Sequence, residues 1–384
     1  MIMKNILYIG GFDLPDNNAA AQRVIANSKI LRDLGYNVLL VGLTSDNANA
    51  NNFFNYDGLQ CINIPYPHNP VQWIKYLTSI RQYKKFWVNT TPDVVIAYNH
   101  PAVALSKLIK YCHQHGAKVI SDCTEWYEPH GSWLFKKIKG WDINKRMYDV
   151  HCRVDGIITI SRYLDDFYRS KGMNTVLLPP LVDIQAKKWD VKRYNDNFEN
   201  KRLVYAGSPL GKKDRLDWII SSLSKIDSIV CGGYELEVIG ITKEQYMSIY
   251  AQDGKGIPQY VTFLGRISHE EVIDHLLRSD FQIFLREQTL PNMAGFPTKF
   301  AESISSQTLV LTNDTSNLMD YLENGKNGFV LNIENEETLT DSLLKPLSLP
   351  LKEVRTLCSK IDNSVFDYRR FAPKLKDFHE VVMK

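Results

Sequence analysis

The sequence predicts an α/β fold made of two doubly wound domains, on three observations. At 384 residues the chain exceeds the roughly 250–300 at which a single hydrophobic core stops growing, so two domains are the default. Short continuous apolar runs alternate with helix-length segments in both halves, the pattern of parallel strands covered on both faces. A charged stretch, IQAKKWDVKRYNDNFENK at 184–201, interrupts this alternation once and reads as a linker. Hydrophobic residues at 44% and aromatics at 11% can fill two cores, and 23% charged residues is ordinary, which excludes wholesale disorder.

The first domain, 1–183, opens with NILYIGG (Asn5–Gly11), an apolar run ending in glycines. Ala20–Leu34 then places Val24, Ile25, Ile30 and Leu31 at helical spacing until Gly35 stops it. YNVLLVG, LQCINIP, DVVIAY (Asp93–Tyr98), AKVISD (Ala117–Asp122), DGIITI (Asp155–Ile160) and NTVLLPP (Asn174–Pro180) are the further strands. Ser161 is a good N-cap for SRYLDDFYRSKG, which Gly172 closes. The second domain, 202–360, restarts the alternation with RLVYAG (Arg202–Gly207), YELEVIG, YVTFLG, DFQIFL and TLVLTN. Residues 361–384 read as a C-terminal helix expected to pack back on the first domain. Two such Rossmann-like domains predict a central cleft faced by the C-terminal ends of both sets of strands, where doubly wound folds bind their ligands.

Charge narrows the partners. The formal net charge is only +3, too small for a nucleic-acid binder, but residues 1–184 carry 20 Lys+Arg against 15 Asp+Glu and the remainder 26 against 28. The basic excess therefore lies in the first half. The N-terminal apolar run is too short for a signal peptide or a membrane span, which points to the cytoplasm. Six cysteines without CxxC spacing suit reduced, buried thiols. Cys112, His113 and His115 read as the end of a helix, and Asp165-Asp166 lies inside a predicted helix, so no metal site is expected.

Three segments carry the candidate chemistry. The loop at Gly10 and Gly11, with Arg23 one turn into the following helix, offers backbone amides to an anion or an acceptor. RLVYAGSPLGKKDRL repeats that arrangement, with Gly207, Ser208, Lys212, Lys213 and Arg215 at a helix start, where cations make sense when a polyanion joins them. In FLREQTLPNMAGFPTKFAES, a strand ends at Arg286 and Glu287, and Gly295-Phe296-Pro297-Thr298 leads into a helix with Thr298 at a capping position. Its free amides and Lys299 suit a diphosphate, and Glu302 suits two sugar hydroxyls.

These motifs, with SRYL at Ser161–Leu164, LLPPLVD, FLGRIS and GFPTKFAES, resemble a GT-B fold glycosyltransferase, with glycosyltransferase family 4 the nearest group. The resemblance implies a retaining enzyme that takes a nucleotide sugar as donor without a bound metal or other cofactor, a UDP-sugar in preference to a GDP-sugar. It assigns Lys213 to the donor diphosphate and Glu302 to the second glutamate of a Glu-x7-Glu pair that binds the ribose. Gly295, Phe296 and Pro297 fall on the backbone that meets phosphates and sugar, and Arg266, Ile267 and Ser268 on the base-binding loop. Two departures stand out: the family arginine falls on Ser208, and the first glutamate falls on Ala294, for which Glu287, Asn292 or Arg286 are the substitutes in reach. In the first domain, His100, Asp122 and Glu125 lie at strand ends where relatives often carry a histidine near the anomeric carbon. With Arg286, they are the catalytic candidates.

The implied activity is transfer of a hexosyl group to a glycan or lipid-linked acceptor in bacterial surface polysaccharide synthesis. Two alternatives remain open, a sugar-nucleotide epimerase of the same fold and a degenerate sugar-nucleotide binding protein. WLFKKIKGWDINKRMYD (Trp133–Asp149) alternates aromatics with Lys136, Lys137, Lys139, Lys145 and Arg146, a composition suited to an anionic membrane surface as well as to an ordinary solvated helix.

Overall fold

The computed structural model describes residues 4–46, 48, 50–129, 131–189, 199–207, 214–226, 233–250 and 257–384. It divides into two compact units. One comprises the chain up to Val182 with Met293–Phe296 and Tyr368–Lys384; the other comprises Asp183–Asn292 and Pro297–Asp367.

The first unit holds an eight-stranded sheet. Its strands are β1 (Asn5–Gly10), β2 (Asn37–Thr44), β3 (Phe53–Tyr56), β4 (Leu59–Pro65), β5 (Val94–Tyr98), β6 (Lys118–Cys123), β7 (Gly156–Thr159) and β8 (Thr175–Leu177), in the order β3-β4-β2-β1-β5-β6-β7-β8. Every pairing is parallel except β3 with β4. Of that hairpin only β4 was among the expected strands; β3 was not, although Asp57-Gly58 marks the turn. Both residues take positive φ, +50° and +77°, the backbone a two-residue hairpin turn requires. Near-continuous burial along β1, β2 and β5 is why these strands read as apolar runs rather than alternating ones.

The C-terminal stretch belongs to this unit. A 3₁₀ turn at Tyr368–Phe371 leads into helix Ala372–Val382. Phe378 and Val382 pack on β7 so closely that a Cβ at Gly156 would lie 2.6 Å from one and 2.7 Å from the other. Tyr368 donates to the Asp33 carboxylate at 3.0 Å.

The second unit is a six-stranded, all-parallel sheet of β9 (Lys201–Ala206), β10 (Tyr234–Ile239), β11 (Val261–Gly265), β12 (Phe281–Ile283), β13 (Leu309–Thr312) and β14 (Gly328–Val330), ordered β11-β10-β9-β12-β13-β14. β14 was not among the expected strands. The stretch expected as linker differs as well. Lys201 is the first residue of β9, and a 3₁₀ turn at Lys187–Trp189 lays Trp189 against the Val204, Ile273 and Leu276 cluster. In both sheets the first strand of the unit lies inside with parallel neighbours on both sides, so the loops leaving β1 and β9 start where the strand order reverses.

Candidate functional site

In the second unit, β9 ends in Tyr205-Ala206-Gly207. The Tyr205 hydroxyl donates to Asp214 Oδ2 at 2.7 Å, and Lys299 Nζ donates to the same oxygen at 2.7 Å. Arg286 brings Nε to 3.7 Å from Asp214 Oδ1 without forming a hydrogen bond. Burial alone would push the Asp214 carboxyl up, but Lys299 and then Arg286 outweigh it and hold it at about 2. The same burial, with Asp214 beside it, raises the Tyr205 phenol well above its usual value. Gly207 is required by close approach, because a Cβ there would lie 2.7 Å from Lys299 Nζ and 3.1 Å from the Tyr205 hydroxyl.

Two cations thus converge on one carboxylate. Both keep some access to water, with side chains 11% exposed for Lys299 and 13% for Arg286. Arg286 is fixed by its backbone, whose amide donates to Asn313 Oδ1 at 2.8 Å while Asn313 Nδ2 donates back to its carbonyl at 2.7 Å. Arg215 is neutralised locally. It pairs with Asp217 at 3.1 Å, lies 3.7 Å from Glu287, and stacks its guanidinium 3.7 Å from the centre of the Trp218 ring.

Glu302 stands on helix Thr298–Ser305 with little exposure. Its Oε1 lies 2.8 Å from His269 Nε2, and Lys188 Nζ lies 3.2 Å from His269 Nδ1. A charged lysine can only donate, so Nδ1 accepts and Nε2 carries the proton given to Glu302. The helix start corrects one expectation: the N-cap is Pro297, which has no capping side chain, and Thr298 is the first helical residue. Ser268 caps helix His269–Leu277 with a capping box to Glu271. Beside it Arg266 is exposed and Ile267 packs against the core cluster. Gly295 and Phe296 fall, with Ala294, in the segment that belongs to the first unit. Ala294 is fully buried, and its carbonyl accepts the Ser161 hydroxyl at 2.6 Å. Of the substitutes for the absent glutamate, Asn292 uses its amide on the Glu287 carbonyl and Glu287 is exposed.

The first unit arranges its candidates differently from the sequence expectation. Asp122 is buried and takes Arg23 Nη2 at 2.8 Å and Nε at 3.0 Å, with the Tyr8 hydroxyl at 2.5 Å. Arg23 Nη1 donates to the Leu178 carbonyl at 2.8 Å, so this guanidinium serves the interior and not an anion in the Gly10 loop. The helix after that loop is capped by Asn18, whose side chain accepts the Ala21 amide. Gly10 is there for packing, since a Cβ would lie 2.7 Å from that of Tyr98, while Gly11 is exposed. Glu125 is exposed, so it makes no buried pair with Asp122.

His100 is fully buried against the Tyr76 and Tyr83 rings, and both its ring nitrogens lack a hydrogen bond. Desolvation, then Arg146, lowers its pKa to about 3, so the ring is neutral where it lies in the core. Ser208, Lys212 and Lys213 lie outside the described residues.

Sequence reading missed Asp214 and His269. The first follows the lysines of GKKD directly, where a carboxylate among cations is a signal of its own; the second had none, because its partner is 33 residues away. Among the described residues no three His, Cys, Asp or Glu side chains cluster to hold a metal ion, and no helix is long and apolar enough to cross a membrane.

Two parallel-sheet α/β units, one with a cation cluster at the end of its first strand, define a glycosyltransferase of the GT-B fold. Residues 20–186 match the family model described as Glycosyltransferase Family 4, and residues 187–361 match that of Glycosyl transferases group 1, so the chain belongs with these enzymes. Sucrose-phosphate synthase from Thermosynechococcus elongatus shares the fold with a TM-score of 0.72 at 12% identity, over 98% of each chain. The catalytic domain of starch synthase IV from Arabidopsis thaliana, bound to ADP and acarbose, aligns with a TM-score of 0.70 at 11% identity over 100% of each chain. HepE from Anabaena, in complex with UDP and glucose, aligns with a TM-score of 0.67 at 13% identity over 98% of this chain and 99% of its own. No curated protein sequence matches the chain.

Proposed function

We propose that the protein transfers a hexosyl group, with retention of anomeric configuration, from a nucleoside diphosphate sugar to a glycan or lipid-linked acceptor in surface polysaccharide synthesis. The observation that carries this reading is the convergence of Lys299 and Arg286, both with access to water, at the end of β9 beside Asp214. Breaking the bond between the anomeric carbon and the diphosphate oxygen leaves that electron pair on the diphosphate. Preorganised cations stabilise the charge as it develops. The acceptor hydroxyl supplies the new bond to the anomeric carbon and loses its proton, which the departing diphosphate is basic enough to take. Glu302, held through one oxygen by His269, keeps its other oxygen for the ribose hydroxyls. A UDP-sugar is the favoured donor and no cofactor is needed. HepE with bound UDP and glucose supports that choice by analogy. The buried thiols Cys61 and Cys112, which desolvation raises to about 12, suit a reducing cytoplasm.

The test is a panel of UDP- and GDP-sugars incubated with and without candidate saccharide acceptors, following nucleotide release. Acceptor-dependent release that Lys299→Ala suppresses supports the reading. Isomerisation of a donor without acceptor identifies an epimerase instead, and nucleotide binding without turnover on any acceptor identifies a binding protein.

A further inference from the structure

We propose that the outward face of helix Trp133–Tyr148 docks the protein on a lipid bilayer containing anionic headgroups. The helix is fixed to the first unit by its inner side. Ile143 and Met147 are buried, Arg146 Nη1 donates to the Asn99 carbonyl at 3.2 Å, and Asp142 accepts the Ala102 amide at 3.0 Å. The opposite side carries Trp133, Lys137, Trp141 and Lys145, which at four-residue spacing follow one another along a single stripe of the helix. Ile138 and Tyr148 flank it. Trp133 is 69% exposed, Trp141 54%, Ile138 58% and Tyr148 53%. Lone exposed apolar residues are normal, but this many on one helix form a patch that water does not favour.

The chemistry of the stripe selects the occupant. Each tryptophan has a lysine over its ring, Lys137 at 4.0 Å from Trp133 and Lys145 at 5.7 Å from Trp141. Indole rings settle at the level of lipid headgroups, and lysines reach past them to phosphates. The only acid within the helix is Asp142, on the inner side, and Asp149 beyond its end pairs with Lys145 at 3.1 Å. A symmetric second copy would set these lysines against their own counterparts, which disfavours a dimer through this face.

The test is co-sedimentation of the full chain with vesicles of phosphatidylcholine alone and with about 30 mol % phosphatidylglycerol, at low and high salt. No donor or acceptor is present, so the result is independent of the transferase reading. The expected result is binding to the anionic vesicles at least about tenfold stronger than to the neutral ones, reduced by salt. Trp133→Ala with Trp141→Ala, and separately Lys137→Glu with Lys145→Glu, each lower that binding at least about tenfold, with far-UV circular dichroism and thermal midpoint unchanged because these side chains lie outside the core. Failure of the wild type to sediment with anionic vesicles at low salt overturns the proposal, as does wild-type sedimentation of both variants. A dimer that the tryptophan substitutions dissociate also overturns it, in favour of a second copy.

Discussion

The two units solve the same local problem with opposite outcomes. Each has Tyr-x-Gly at the end of its first strand, Tyr8-Ile9-Gly10 and Tyr205-Ala206-Gly207, and in each the tyrosine hydroxyl donates to a buried aspartate. In the first unit Asp122 meets one arginine, whose remaining hydrogen bonds go to backbone carbonyls, and the pair is 3% and 0% exposed. That cluster is neutral and closed. In the second unit Asp214 meets two cations that keep access to water. A buried ion pair whose donors are used internally is a clasp, whereas cations that keep access to water remain able to meet an anion.

The largest expected effect breaks the clasp. Asp122→Ala strands the Arg23 guanidinium in the core and is expected to cost about 3–5 kcal/mol in urea denaturation. Asp214→Asn, with cations that can turn to water, is expected to cost less; an equal loss would make the second cluster a clasp too. Next, Lys299→Ala is expected to weaken binding of a nucleoside diphosphate by about 1.5–3 kcal/mol, measured by calorimetry, and to lower the denaturation midpoint by less than Asp122→Ala does, because Arg286 still faces Asp214. Unchanged affinity would remove the site assignment.

Two smaller effects sharpen the contrast. Gly207→Ala places a methyl where Lys299 Nζ lies, so nucleotide affinity is expected to fall about threefold to tenfold with little loss of stability, since a lysine end moves cheaply. The pH dependence separates the units as well. His100 titrates near 3 when folded against 6.5 ordinarily, so the unfolded chain binds the proton first and stability falls as pH drops below about 6.5. His100→Phe is expected to make that acid limb shallower in a pH series of melting curves, the rest coming from His151 and His379, which burial also lowers. Asp214, depressed from 3.8 to about 2, contributes stability above pH 3.8 that is lost only as pH falls through 2, so its removal leaves the limb between 4 and 6.5 unchanged.

Sequence alone determined the elements whose signal is local. Parallel strands such as LQCINIP, matched residue for residue by β4 at Leu59–Pro65, are legible because burial on both faces writes a continuous apolar run. The pairing of one Rossmann-like half with another was legible for the same reason, as was Ser161 as a helix cap. Tertiary structure decided what each polar residue does. Arg23 and Asp122 are 99 residues apart, Asp214 and Lys299 85, and His269 and Glu302 33. Whether a carboxylate serves as catalyst, clasp or counter-ion depends on the cations folding brings beside it. Hydrophobic periodicity is a property of neighbours along the chain, while charge pairing is a property of neighbours in space.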